Sequence, residues 1–128
     1  MITNISEGVK ISVEVFYQPD QSNPANSEYL FAYRITIKNI NNFPIQLLRR
    51  HWIIADSNGE TREVEGEGVV GNQPVIEPNN TYQYISACTL NTEIGKMHGM
   101  YLFENTYTKK TFSALIPEFH LQAPFKLN

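Results

Sequence analysis

Six residues in the middle of the chain, Gly66-Glu67-Gly68-Val69-Val70-Gly71, have the G-x-G-x-x-G spacing that binds pyrophosphate in dinucleotide-binding proteins. That chemistry needs a helix after the glycines, because the amides of the helix N-terminus bind the phosphates. Pro74 and Pro78 follow instead and exclude a regular helix of useful length. We therefore predict that the glycines permit a bulge, a crossing between sheets or close backbone packing. An anion-binding nest of successive amides, formed without a helix, stays an alternative.

Glutamates alternate along the segment that precedes the glycines. Glu63, Glu65 and Glu67 would share one face of a strand if the strand runs that far. Carboxylates repel a pyrophosphate unless a metal ion lies between them, so this row argues against a dinucleotide site. The row also has the ligand type of a hard divalent cation, since Mg²⁺ favours carboxylate oxygens. We prefer the interpretation as a solvated strand face and predict no metal site.

A short cationic group, Arg49, Arg50 and His51, directly precedes the only tryptophan of the chain, Trp52. If the fold brings this group to the glycine loop, it would supply positive charge for an anion. The sequence leaves that contact open. The predicted ligand-binding residues are Gly66, Gly68, Gly71, Arg49, Arg50 and His51.

Motifs for catalysis are absent from the sequence. His51, His98 and His120 lack the spacing of metal ligands. Cys88 lies in the apolar run QYISACTL, which predicts a buried and inert thiol rather than a nucleophile. None of the G-x-S-x-G, H-E-x-x-H, P-loop and paired C-x-x-C motifs occurs. We therefore predict a protein without enzymatic activity and without a cofactor.

The apolar residues recur with a period of two, which is typical of β-strands. Aromatic and β-branched side chains occupy every second position in residues 9–17 and 29–37. Further strands are predicted at 45–55, 60–65, 81–88, 97–103 and 110–116. No window has helical periodicity with caps. The pattern therefore predicts an all-β sandwich, in which Trp52 is a packing anchor.

Turn residues separate these strands. Asn58-Gly59 predicts a type I′ hairpin turn, which needs positive φ angles at both residues. Pro117 lacks a backbone donor, so its strand should end there or lie at the edge of a sheet. Residues 18–27 contain two prolines and no apolar residue larger than alanine, which predicts an exposed loop.

Size and charge exclude several classes of protein. The 128 residues predict one domain, 1–128. A net charge of −3 without a long basic run argues against nucleic-acid binding. There is no run of about 18 apolar residues and no secretory h-region at the N-terminus, so we predict no membrane association. A single cysteine cannot form an internal disulfide, which indicates a reducing cytoplasm.

Three segments together resemble the ApaG family. They are VEVFYQPDQSNPANSEYLFAYRITIKN, LLRRHWIIADSNGE and VEGEGVVGNQPVIEPNNTYQYISAC, and the resemblance covers residues 9–120. It implies a sandwich of the immunoglobulin or fibronectin type III kind with about seven or more strands. It also implies a genetic link to cobalt and magnesium resistance, and a suggested role of Gly66, Gly68 and Gly71 in binding pyrophosphate or a nucleotide. Related domains in eukaryotic F-box and polymerase-interacting proteins imply a module for protein interaction or ligand recognition.

Three functional hypotheses follow. We favour a non-enzymatic cytoplasmic module that recognises a protein partner, with residues 18–27 and 66–71 as the candidate surface and an indirect role in Co²⁺ and Mg²⁺ homeostasis. The alternative is a binder of pyrophosphate or a phosphorylated nucleotide through the Gly66–Gly71 loop. An enzyme that acts on nucleotide polyphosphates ranks third, because no base, nucleophile or metal ligand set is visible. Pairing of the chain with a second copy stays open.

Overall fold

Nine β-strands and two short 3₁₀ turns form the chain in the computed structural model, which describes residues 1–124. The strands are β1 (Ile2–Ser6), β2 (Val9–Tyr17), β3 (Tyr29–Asn39), β4 (Ile45–Asp56), β5 (Thr61–Glu67), β6 (Val75–Ile76), β7 (Thr81–Leu90), β8 (Ile94–Asn105) and β9 (Thr111–Gln122). The 3₁₀ turns, Pro19–Gln21 and Pro24–Asn26, lie in the segment predicted as an exposed loop and have no buried residue. No helix in the part of the chain that the structure describes is long and apolar enough to cross a membrane.

The strands form two antiparallel sheets that pack face to face. One sheet has the order β1-β2-β3-β7, and the other has the order β5-β4-β8-β9 with β6 paired to one end of β4. The predicted all-β sandwich is confirmed. The narrower prediction of an immunoglobulin or fibronectin type III topology stays a prediction. Two short strands, β1 and β6, were not predicted from the sequence.

The alternating side chains meet in one aromatic-rich core between the sheets. Trp52 lies at its centre, with its ring centroid 5.7 Å from that of Tyr33, 5.8 Å from that of Phe119 and 6.3 Å from that of Tyr101. Edge-to-face contacts of this kind add to the free energy gained from burying the rings. The prediction of Trp52 as a packing anchor is confirmed.

Two bulges interrupt the sheet that contains β4. The extra residue Leu48 on β4 shifts the register against β8, so the inward side chains change from Ile45 and Leu47 to Arg50 and Trp52. On β9 the register shifts at Pro117, where the missing backbone donor costs no ladder bond. Because β9 is also an edge strand, the prediction that Pro117 lies at an edge is confirmed.

The prediction of a type I′ turn at Asn58-Gly59 is wrong. Only Gly59 has a positive φ there, 89°, and its N–H donates to Asp56 O at 3.1 Å. The loop is therefore a three-residue turn that ends in a left-handed glycine. Positive φ angles at two consecutive residues occur instead at Glu7-Gly8 and Val70-Gly71, and the first pair turns β1 into β2.

Candidate functional site

Strand β5 directs its glutamate side chains to one face of the sheet and the side chains that alternate with them to the opposite face. Its register sets Arg62 opposite Ile54, Val64 opposite Trp52 and Gly66 opposite Arg50. Directly opposite residues point to the same face of a sheet, so these three residues of β5 face the interior. Glu63, Glu65 and Glu67 therefore alternate onto the outer face, away from the interior.

Gly66 makes room for the side chain of Arg50. A Cβ atom at Gly66 would lie 2.9 Å from Nη1, 3.0 Å from Nη2 and 3.1 Å from Cζ of Arg50. The guanidinium thus covers the glycine, and Nη1 donates to Glu67 O and Gly68 O at 3.0 Å each. The first glycine of the motif therefore positions an arginine.

Gly66→Ala is expected to lower the free energy of unfolding by about 1.5 kcal/mol, because the guanidinium must move away from two carbonyls that accept charge-assisted hydrogen bonds. In an Arg50→Met background the same change should cost nothing, since the displaced group is gone and alanine suits a strand better than glycine. Urea unfolding of the four proteins measures this coupling. Additive effects of the two changes would show that Arg50 and Gly66 do not interact.

The second half of the motif forms a tight turn. Val69 N donates to Asn72 O at 2.8 Å, Asn72 N donates to Val69 O at 2.9 Å, and Gly68 N donates to Leu48 O at 2.8 Å. Val70 and Gly71 form the tip, with φ angles of 46° and 79°. Since these three amides already have backbone acceptors, they are not available to an anion. The geometry favours the structural interpretation of the glycines.

Val70 is an unusual residue for the tip of this turn. A left-handed conformation is disfavoured for a β-branched side chain and costs about 1–3 kcal/mol at a non-glycine position. The side chain is nonetheless 61% exposed, so little burial offsets this cost. Strained residues of this kind cluster at ligand-binding and switch regions.

A cleft of about 440 Å³ opens between the two sheets on the side of β5 and β7. We call it the inter-sheet cleft. It is lined by Tyr33, Arg50, Trp52, Ile54, Arg62, Val64, Val69, Val70, Tyr84, Ser86, Ala87, Cys88, Thr89 and Met97. Among the described residues that line it, two are arginines and none is acidic, although the whole chain has a net charge of −3. The inter-sheet cleft is therefore a cationic site with both apolar and polar walls.

The phenol and thiol groups of the inter-sheet cleft are neutral. Burial raises the pKa of Tyr84 and of its hydrogen-bonded neighbour Tyr101. Burial also raises the pKa of Tyr33 and of Cys88, although Arg62 partly offsets the effect on the thiol. Desolvation disfavours the phenolate and thiolate forms. These groups can donate or accept hydrogen bonds to a ligand, but none of them is activated as a base or nucleophile.

Arg62 bridges the two sheets at the other end of the inter-sheet cleft. Its Nη2 donates to Thr89 O and lies 3.4 Å from Cys88 Sγ. Arg62 is not among the site residues predicted from the sequence. The sequence contains the information needed to find it. Arg62, Val64 and Gly66 are two residues apart, so they share one face of the strand, whereas the glutamates between them share the other.

The other predicted site residues divide between two faces. Arg50 lines the inter-sheet cleft beside Gly66, whereas Arg49 and His51 lie on the outer face of the same strand. His51 Nε2 is 3.2 Å from a Glu63 oxygen and 3.4 Å from a Glu65 oxygen, and all three potential ligand atoms lie within 4.8 Å. Because exposed groups of this kind form ion pairs without a metal, the cluster gives no metal site by itself.

Strand β7 differs from the other three edge strands. Charged side chains protect β5, a proline and a bulge protect β9, and β1 is covered by hydrogen bonds from Asn4 to Leu115 O (3.2 Å) and from Leu115 N to Ser6 (2.8 Å). In contrast, β7 has the sequence TYQYISACTL, without a charged residue or proline, and its register with β3 is unbroken. Natural proteins protect edge strands against pairing with other chains. The edge of β7 lacks these protections apart from Arg62, which donates to Thr89 O.

Comparison with known proteins agrees with the fold. The model of the ApaG domain family matches residues 19–105. Protein ApaG of Bdellovibrio bacteriovorus is 45% identical over 119 residues, which are 93% of each chain, and Protein ApaG of Dechloromonas aromatica is 50% identical over 113 residues, 86% of each. A crystal structure named for the ApaA protein of Bordetella pertussis is 41% identical, with a TM-score of 0.87 over 92% of this chain and 95% of that one. The chain belongs to the ApaG family.

Proposed function

We propose that this chain is a non-catalytic cytoplasmic recognition module that binds a protein partner at the open side of the sandwich, between β5 and β7. The observation that carries the proposal is the unprotected edge of β7 beside the inter-sheet cleft. Exposed apolar side chains flank this side, among them Val64, Val70 and Ile85. Association through a free strand edge needs no catalytic machinery, because backbone hydrogen bonds supply affinity and side-chain sites supply specificity.

Selection from a phage library of random peptides tests this proposal. We expect the wild-type protein to enrich a common set of peptides, and we expect Arg62→Glu to enrich none of them, because the variant reverses one of the two charges of the inter-sheet cleft. Arg49→Glu is the matched control. That arginine is exposed on the outer face, so its replacement should leave the selected set unchanged.

Circular dichroism and thermal unfolding of both variants establish that the fold is retained. Failure of the folded wild-type protein to enrich any peptide would contradict the proposal. Identical peptide sets from the wild-type protein and from Arg62→Glu would contradict the location of the site.

A phosphorylated small molecule is the second candidate ligand. Two guanidinium groups that form no ion pair within residues 1–124 favour it, since arginine binds phosphate with paired hydrogen bonds. The ligand would lie in the inter-sheet cleft rather than on the amides of the Gly66–Gly71 loop. Trp52 lines the cleft and is the only tryptophan, so its fluorescence reports on titration with pyrophosphate or ATP, with and without Mg²⁺. A saturable change that Arg62→Glu abolishes would support this candidate, and no change would exclude both probes as ligands.

An indirect role in cobalt and magnesium resistance is part of the proposal, and the family resemblance alone supports it. If recognition at the inter-sheet cleft underlies this role, Arg62→Glu should fail to restore cobalt tolerance to a bacterium that lacks its own copy. Arg49→Glu should restore it. Equal restoration of cobalt tolerance by both variants would show that the resistance does not depend on the inter-sheet cleft.

A further inference from the structure

We propose that the partner adds an extended segment to the free edge of β7 and carries two acidic side chains, four residues apart, that pair with Arg50 and Arg62. This inference rests on the proposed function and names the chemistry of the partner. Four observations lead to it: the backbone groups at the edge of β7, the faces of β7, the register of β5 and the charge of the inter-sheet cleft.

The backbone groups of β7 are available at alternate residues. Asn39 N donates to Asn80 O at 3.1 Å, and the register between β3 and β7 continues from this pair without a shift. Hydrogen-bonded pairs alternate in an antiparallel ladder, so the even-numbered residues of β7 bond to β3. The odd-numbered residues from Thr81 to Thr89 therefore direct N–H and C=O groups to the free edge. Arg62 binds one of these groups, Thr89 O.

The side chains of β7 also alternate, between the inter-sheet cleft and the outer face of the sheet. Tyr84, Ser86 and Cys88 line the inter-sheet cleft, whereas Ile85 is 60% exposed on the outer face. In an added antiparallel strand, the residues opposite Tyr84, Ser86 and Cys88 would also face the cleft. They are the positions i, i+2 and i+4 of the added segment, and the residues between them face solvent.

The two arginines lie at the ends of this row. Arg62 Nη2 is 3.4 Å from Cys88 Sγ, so it is at the Cys88 end. β5 starts beside the C-terminal end of β7, where Asn91 Nδ2 lies 3.4 Å from a Glu60 oxygen. The Arg50 guanidinium covers Gly66, near the other end of β5, and Arg50 and Tyr84 line the same cleft. An acidic residue opposite Cys88 would therefore meet Arg62, and one opposite Tyr84 would meet Arg50. These positions are four residues apart.

The register of β5 leads independently to the same spacing. The Arg50 guanidinium covers Gly66, and Arg62 is four residues before that glycine on the same strand. At about 3.3 Å per residue, the two sites are about 13 Å apart, which is the span of four residues in an extended peptide. Val64 lies midway, is 37% exposed and faces the cleft. An apolar side chain at position i+2 of the partner would pack against it.

The charge of the inter-sheet cleft favours an acidic segment over a second copy of β7. Arg50 donates to backbone through Nη1, and Arg62 donates to Thr89 O through Nη2. Their other guanidinium nitrogens have no acceptor among residues 1–124. Since β7 has no charged residue, a β7–β7 pair would leave both cations without an acidic partner. Two carboxylates would neutralise them with charge-assisted hydrogen bonds.

A synthetic nonapeptide tests the inference directly. It has Glu at its third and seventh positions, Val at its fifth and Thr elsewhere, and its binding is measured by calorimetry and by Trp52 fluorescence. We expect saturable binding that Arg62→Glu weakens about thirty-fold, as for loss of one charged pair. Arg49→Glu should bind with unchanged affinity. A control peptide with the second Glu moved to the sixth position should bind about as weakly as the Arg62→Glu variant does, because that side chain faces solvent.

Ala87→Pro tests the strand edge separately from the charges. The N–H of Ala87 faces the free edge, so proline removes a donor that β3 does not use and should leave the fold intact. We expect this variant to lose peptide binding. Thermal unfolding checks its stability, and the Arg62→Glu result stands on its own if this variant unfolds.

Each other outcome overturns the inference. Equal binding of the control peptide would reject the spacing, and undiminished binding by folded Ala87→Pro would reject strand addition. Self-association that Ala87→Pro abolishes, without peptide binding, would identify a second copy as the occupant. Phage selection distinguishes failure of this inference from failure of the proposed function. Selected peptides without the acidic spacing would overturn this inference and leave the proposed function. Selection of no peptide would overturn both.

Discussion

Gly68→Ala is expected to lower the free energy of unfolding by about 3 kcal/mol, a large effect for the addition of one methyl group. Gly68 has a φ of 63°, which costs an alanine about 1–2 kcal/mol. The added Cβ would also lie only 2.2 Å from Asn72 O, a backbone atom fixed by its bond from Val69 N. Backbone must therefore move, which adds the cost of overpacking. Urea unfolding measures the difference.

Gly71→Ala is the matched control for this prediction. Gly71 has a φ of 79° in the same turn, but no atom lies within 4 Å of the position of its Cβ. The same change should therefore cost only the left-handed strain, about 1 kcal/mol. Equal costs at the two glycines would contradict the assignment of Gly68 to a close backbone contact.

This contrast matters for any test of ligand binding by the loop. A variant at Gly68 that loses binding would also lose much of its stability, so the loss would not identify a ligand site. Gly66 and Gly68 meet the guanidinium of Arg50 and a backbone carbonyl, whereas Gly71 meets neither. Gly66 leaves room for a guanidinium, Gly68 leaves room for a backbone carbonyl, and Gly71 adopts a left-handed φ. None of these three roles of the G-x-G-x-x-G glycines requires a bound phosphate.

The period of two was sufficient to predict the sandwich. Alternation in residues 9–17 and 29–37 continues without interruption into β2 and β3, and both strands lie in a sheet with regular register. β1 (ITNIS) lacks this alternation, because Ile2 and Ile5 lie on opposite faces of the strand and both are exposed. The prediction was therefore accurate where burial of one face controls the pattern.

The inter-sheet cleft was not predictable in the same way, because it depends on one bulge. Strict alternation from Ile45 and Leu47 would turn Arg49 and His51 inward, together with Ile53. The extra residue Leu48 reverses the parity, so Arg50 enters the cleft and Arg49 remains outside. Nothing in the local sequence specifies a bulge at Leu48. Its carbonyl accepts bonds from Gly68 N and from Gln73 Nε2, both of which are distant in sequence.

Asn39→Leu is expected to lower the free energy of unfolding by about 4 kcal/mol, because Asn39 is fully buried and bonded through every polar atom of its side chain. Its Nδ2 donates to Phe43 O at 2.8 Å and to Ile76 O at 2.9 Å, and its Oδ1 accepts from Asn41 N at 2.9 Å. Leucine would leave these groups without partners in the interior, at about 1–3 kcal/mol each. The bond to Ile76 also holds β6, the strand that follows the glycine segment.

Asn42→Leu supplies the control for the same loop. Asn42 is exposed and makes no side-chain hydrogen bond within residues 1–124, so its replacement should change stability by no more than about 0.5 kcal/mol. Hydrogen exchange should localise the effect of Asn39→Leu, with faster exchange at Asn41 and in the segment 68–76 than in β2 and β3. Uniform loss of protection would mean that Asn39 supports the whole core equally. A small change in stability would mean that water replaces the amide, which the burial of this side chain argues against.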